Sequence, residues 1–191
     1  LRVAEARKQS TELQSVLADI ERQKETKRAV LEELERARDP LMEALGTQVP
    51  GSGLGGMGAR KGKLPFPTVG RVEVRFGKQL VDSRFKTVLQ QKGIDIRAPA
   101  GTPVWAVHAA QVAYAGWFKG FGNLVVLDHG ESYFTLYAHL DEMPLKKGDR
   151  VREGQQVGTV GDTGSLKGAY LYFEIRSGQK ALNPAQWLRR K

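Results

Sequence analysis

The chain has 191 residues, 40% hydrophobic and 27% charged, a globular balance with room for one domain of ordinary size and an appendage. It has no cysteine, which excludes a disulfide framework and thiol chemistry, and no apolar run approaches the roughly 18 residues of a membrane-crossing helix. The formal charge of +9 is uneven: residues 1–50 hold 9 basic and 10 acidic side chains, residues 51–191 hold 21 and 11. A basic globular part attracts polyanions. No nucleic-acid motif accompanies it, so nucleic acid is not an expected partner. Anionic wall polymers and lipid headgroups fit the same charge, as does a basic surface kept for solubility.

Residues 1–45 read as a helical, coiled-coil-like arm. Leu13, Leu17, Ile20, Leu31, Leu34, Leu41 and Leu45 fall on one alternating 3/4 spacing, with charged residues on the other faces. Lys24 and Lys27 interrupt that seam. Pro40 ends the first helix, and Asp39-Pro40 supplies an N-cap and first turn for a short second one at 41–45. The chain opens at Leu1 directly in helical sequence, so a targeting segment is expected to precede it in the full protein.

Residues 46–63 form a glycine-rich linker, with six glycines between Gly51 and Gly62. From Leu64 to the end the pattern is that of strands. Arg71 to Phe76 alternates with period two. Further strands are predicted at 103–108, 111–117, 123–128, 132–139, 156–160 and 170–176, punctuated by glycine and Asn/Asp. Residues 64–191 are therefore predicted as a mainly β, antiparallel domain, closed by a turn at Pro184–Leu188.

A succession of motifs covers 64–190. It runs Gly93-Ile94-Asp95-Ile96, then Ala98-Pro99-Ala100-Gly101-Thr102-Pro103-Val104, then Asp128-His129-Gly130 and Tyr137-Ala138-His139-Leu140. Lys147-Gly148-Asp149, Val160-Gly161-Asp162-Thr163-Gly164 and Asn183-Pro184 with Trp187-Leu188 complete it. In order and spacing this resembles the LytM-type zinc peptidases of peptidoglycan, the M23 family. The resemblance fails where the metal would sit. Gln91-Lys92-Gly93-Ile94-Asp95 resembles the family's His-x-Gly-x-Asp segment with glutamine for histidine. Tyr170-Leu171-Tyr172-Phe173-Glu174 resembles its His-Leu-His-Phe-Glu strand with both histidines replaced by tyrosine. The family's metal ligands thus correspond to Gln91, Asp95 and Tyr172, and its catalytic base to Tyr170. His139 corresponds to an assisting active-site histidine. An amide is a poor zinc ligand, and a phenol of pKa about 10 would have to lose its proton to become one.

The resemblance therefore implies a non-catalytic protein with no zinc, no other cofactor and no catalytic residue. Within the family it is nearest the EnvC-like group, whose degenerate LytM domain follows a coiled coil. That implies binding and activation of an N-acetylmuramyl-L-alanine amidase in cell-wall remodelling or division, and a periplasmic or cell-envelope location. Peptidoglycan is a further expected partner, and so is an upstream membrane partner acting through the arm. Two other readings stand beside this one. The first is a zinc endopeptidase with an unusual ligand set built on Asp95 and His139. The second is a peptidoglycan-binding module.

The former active-site groove is the expected partner surface. By motif position its lining is Gln91, Lys92, Asp95, Phe121, Leu124, His139, Tyr170, Tyr172 and Arg176. Tyrosine and arginine combine contact area with a polar handle, and they are frequent anchors in interfaces. Tyr170, Tyr172, Glu174 and Arg176 share one strand face by period two. His108 and His129 are expected to be structural, and Trp105, Trp117 and Trp187 to pack in the core or at its rim.

Overall fold

A computed structural model describes residues 13–14, 16–22, 25, 56–77, 79–82, 87–165 and 167–189. The chain divides into two compact units, residues 1–38 and 39–191. In the first, residues 13–14, 16–22 and 25 are helical. Leu13, Val16, Leu17 and Ile20 form an exposed stripe at helical spacing there. The remainder of the expected arm, including its seam beyond Ile20 and the short helix at 41–45, lies outside the described residues.

The second unit is mainly antiparallel β, as its period-two patterning predicts. Its strands are β1 (Arg71–Val74), β2 (Gln79–Asp82), β3 (Thr87–Gln90), β4 (Ile94–Arg97), β5 (Pro103–Trp105) and β6 (Ala110–Phe118). They continue with β7 (Gly122–Asp128), β8 (Tyr133–Leu140), β9 (Arg150–Val151), β10 (Gln156–Thr159), β11 (Leu171–Ser177) and β12 (Lys180–Leu182). The large sheet runs β1-β4-β11-β8-β7-β6-β9, with β12 also paired to β11. Two-stranded sheets, β5-β10 and β2-β3, complete the described strands. β4 reads from sequence only as a motif, because Ile94-Asp95-Ile96 is too short to show a period.

Each central strand has two buried faces, and the period of two divides its side chains between them. Leu171, Phe173 and Ile175 of β11 join Ile94, Ile96, Val125, Leu127 and Tyr137 in the main core, which Val104 and Val157 of the small β5-β10 sheet also enter. Burying each large aliphatic or aromatic side chain there contributes about 1.5–3 kcal/mol. The opposite face collects Ala113, Phe121, Leu124, Val126, Phe134, Leu136, Ala138, Tyr170 and Tyr172 in a second cluster. That second face carries the site.

Residues 46–55 of the expected linker lie outside the described residues. Residues 56–63 do not behave as a spacer. Met57 is fully buried in the main core, and a 310 turn at Gly58–Arg60 follows it. Arg60 Nη2 then donates to both carboxylate oxygens of Glu153. Glycine content concealed this, because one well-placed methionine is enough to dock a loop.

Candidate functional site

The site is built where β4, β8 and β11 lie side by side. Register places Tyr172 opposite Asp95 on one side and Ala138 on the other. Tyr172 and Asp95 thus share the second face, each only 7% and 5% exposed. Gly93 makes room for this arrangement. A Cβ there would lie 2.5 Å from the Phe173 carbonyl oxygen and 2.8 Å from the Tyr172 ring.

His139 reaches the same face by a different device. Simple alternation after Tyr137 and Ala138 would send it into the main core. The β7–β8 register shifts between Asn123 and Val125, and His139 has φ +62°. The left-handed residue costs about 1–2 kcal/mol in an L-amino acid. It re-aims the imidazole, as bulges do. The His139 ring then packs at 4.5 Å from the Tyr170 ring, centroid to centroid.

Hydrogen bonds fix the state of each group. The Thr163 carbonyl can only accept, so His139 Nδ1–H donates to it at 2.8 Å. Nε2 is then the acceptor, and the Tyr170 hydroxyl donates to it at 2.7 Å. Thr163 is held in turn: its hydroxyl donates to the Leu140 carbonyl and accepts from Asn123 N–H. Gly122 allows the close approach, since a Cβ there would fall 2.1 Å from the Thr163 carbonyl oxygen. Burial holds the His139 imidazole below its ordinary pKa, opposed by the Thr163 hydrogen bond and the Asp95 charge. Burial, reinforced by Asp95, pushes the Tyr170 phenol up. Both groups are therefore neutral at physiological pH.

Asp95 is fully engaged. Its Oδ1 accepts from Gln91 Nε2 at 2.8 Å. Its Oδ2 accepts from the Lys167 ammonium, which also lies 4.2 Å from the centroid of the Tyr170 ring. Lys167 is the residue sequence reasoning missed. It sits in a glycine-flanked loop with no period to place it, 72 residues from Asp95.

The rest of the β11 face is a ladder. Tyr172 donates its hydroxyl proton to Glu174 Oε2 at 2.6 Å, and Arg176 Nη1 donates to Glu174 Oε1 at 2.9 Å. Arg176 Nη2 donates to the Gln179 carbonyl. Arg176 is only 2% exposed and Glu174 is fully buried. Arg176 therefore braces Tyr172 through Glu174 and is not an accessible anchor. Spacing places Glu174 on this face but gives no hint that it joins the other two.

The expected lining is thus brought together in part. Gln91, Asp95, His139, Tyr170 and Tyr172 converge, with Phe121 edge-on to Tyr172 at 5.6 Å. Leu124 lies in the floor, fully buried, and Lys92 is half-buried beside Gln91. Trp117 departs from the expected packing role: it is 61% exposed at the end of β6. His129 is structural, with both ring nitrogens bonded inside the fold, to the Ala109 carbonyl and the Thr135 hydroxyl.

The donor set does not fit a zinc ion. The carboxylate that would bind one is already paired with an ammonium and an amide. The Tyr172 hydroxyl is committed as a donor to Glu174, and His139 Nε2 accepts from Tyr170. Among the described residues no three His, Cys, Asp or Glu side chains are grouped as metal ligands would be.

Comparison with known proteins identifies the fold and the family. The profile of peptidase family M23 matches residues 89–184. The murein hydrolase activator EnvC of Escherichia coli is 38% identical over 136 residues, covering 71% of this chain and 31% of that protein. The murein hydrolase activator NlpD of the same organism is 36% identical over 124 residues, covering 64% of this chain and 30% of its own length. The chain thus spans about a third of the length of these relatives. A crystal structure of a zinc-containing peptidase from Vibrio cholerae superposes with a TM-score of 0.62 at 25% identity, over 68% of this chain and 41% of that one. By profile, sequence and fold, the chain belongs to peptidase family M23.

Proposed function

We propose that this domain is a non-catalytic regulator that binds and activates an N-acetylmuramyl-L-alanine amidase in the cell envelope, during wall remodelling or division. One observation carries the reading. The carboxylate at the family's metal position, Asp95, is neutralised by the chain's own Lys167 and hydrogen-bonded by Gln91. Without a metal no activated water is generated, so hydrolysis of the wall falls to another protein. Relatives named as murein hydrolase activators support the regulatory side of the reading.

The test uses dye-labelled sacculi. The chain alone should release no dye above buffer, and an amidase from the same genome should release more with the chain than without it. Metal analysis on protein purified without chelator should find far less than one zinc per chain. Chelator-sensitive release by the chain alone, with about one zinc bound, would overturn the proposal. Binding to purified wall with no effect on any amidase would replace it by a peptidoglycan-binding module.

A further inference from the structure

The corner where β4 meets the loop 162–169 carries charge beyond what Asp95 requires. Asp95 and Arg97 are two apart on β4 and so share a face. Lys167 is held from several directions. Its ammonium binds Asp95 and covers the Tyr170 ring. Its backbone N–H donates to the Ser165 hydroxyl at 3.1 Å. Its carbonyl accepts from Arg97 Nη1 at 3.0 Å, and the same nitrogen reaches the Ala169 carbonyl at 3.4 Å.

Two cations, Arg97 and Lys167, are thus held at this corner with one buried carboxylate, Asp95, while Asp162 at the start of the loop is exposed. The Lys167 side chain is 40% exposed and that of Asp95 8%, so the lysine is reachable from solvent while its counterion is buried. An ammonium has three N–H bonds and a guanidinium five. Asp95 takes one from Lys167, and the two backbone carbonyls are both served by Nη1 of Arg97. Alongside lies an open hollow of about 420 Å³, lined by Arg97, Ala98, Pro99, Gly168 and Ala169. Apart from the guanidinium its side chains are apolar. That combination suits an acidic side chain, whose methylenes rest on alanine and proline while its carboxylate meets the cations.

We infer that Arg97 and Lys167 form a carboxylate-binding site at the edge of the groove, which takes an Asp or Glu side chain of the protein partner. The inference rests on the regulatory reading above and names the chemistry by which that partner is recognised. Charge complementarity supports an acidic partner, since residues 51–191 hold 21 basic against 11 acidic side chains. Holding both cations in place before binding reduces the ordering cost that flexible side chains would carry.

The experiment measures affinity of the 191-residue chain for purified N-acetylmuramyl-L-alanine amidases of the same genome, by calorimetry at low and high salt. The variants are Arg97→Gln, Lys167→Arg, Lys167→Met and the double Lys167→Met/Asp95→Asn. The double variant removes the ion pair without leaving a buried charge unpaired. Arg97→Gln and the double variant should each weaken binding by about tenfold or more and flatten its salt dependence, with melting temperature preserved. Lys167→Arg should bind as the parent does. Converting one partner Asp or Glu to its amide should reproduce the loss and add little to Arg97→Gln. Parent-like affinity of both Arg97→Gln and the double variant would overturn the inference and leave the regulatory reading standing. A loss that tracks a lowered melting temperature would also overturn it. If no amidase binds but free wall stem peptide does, both readings fall, because the carboxylate then belongs to the wall. Absence of any binding would defeat both as well.

Discussion

The Tyr170 hydroxyl stands 2.7 Å from His139 Nε2, and this contact requires a neutral imidazole, because the other ring nitrogen already donates to the Thr163 carbonyl. Protonating His139 would put a proton where Tyr170 donates.

A pH dependence of stability follows. The unfolded histidine titrates near about 6.5, and burial lowers the folded value. Between those two values the unfolded chain binds more protons, so stability is full above about 6.5 and falls as pH drops toward the folded pKa. His129, pushed down to about 4 by burial, adds a loss of the same sign. His139→Gln should melt lower than the parent at neutral pH, and the gap should narrow as pH is lowered. Thermal melts at about pH 7.5 and 5 check this, on either side of the ordinary histidine value. An unchanged gap would mean that His139 does not carry the linkage.

Arg176 should prove to be a stability residue. Glu174 is fully buried, with Arg176 as its cationic partner. Arg176→Ala removes a buried cation from that carboxylate, at about 3–5 kcal/mol. Tyr172→Phe removes one hydrogen bond to the same carboxylate and should cost less, about 1–3 kcal/mol. The double Arg176→Ala/Glu174→Ala should recover much of the loss of the single variant. Denaturant titrations of the parent and these variants give the values. A fully stable Arg176→Ala would return Arg176 to the role of an accessible anchor.

Gly93→Ala tests whether the Tyr172 ring must sit where it does. The new Cβ would contact the Phe173 carbonyl oxygen at 2.5 Å and the Tyr172 hydroxyl at 2.9 Å. Backbone cannot yield as a side chain can, so the ring or the β4 start must shift, at about 1–3 kcal/mol. Lowered stability with amidase activation also lost is expected. Parent-like melting would show that the strands separate easily here.

Trp117 is an exposed aromatic at the end of β6, two positions from Ala115 of the main-core face and on the opposite face from Phe118. It is 61% exposed, while its neighbour Phe118 packs on Phe121 at 6.0 Å. Trp117→Ala should change stability by no more than about 0.5 kcal/mol. If the interface extends past the groove to the other face of β6, the same variant should weaken amidase binding by about an order of magnitude, as truncating a tryptophan anchor does. Full binding would remove this end of β6 from the interface.

Much of the fold was legible locally. Val72 and Val74 alternate with charged residues in β1, and β11 alternates Leu171, Phe173 and Ile175 with Tyr172, Glu174 and Arg176. That alternation assigned the β11 side chains to two faces correctly. It also placed Tyr170, Tyr172, Glu174 and Arg176 together. The short β2, β3, β4, β9 and β12 and the docking of Met57 were not legible, because so few residues carry no measurable period.

What the sequence determined by itself is the strands β1, β5 to β8, β10 and β11, the family and the exchange of histidines for Gln91, Tyr170 and Tyr172, since these are properties of residue order alone. Tertiary structure decided the rest. It set Lys167 on Asp95 across 72 positions of chain, turned His139 out of the main core through a left-handed backbone, buried Arg176 behind Glu174 and left Trp117 in solvent. The physical reason is that period two fixes which face a side chain takes, whereas its partner depends on which strands and loops come to lie beside that face, and long-range pairing leaves no local trace.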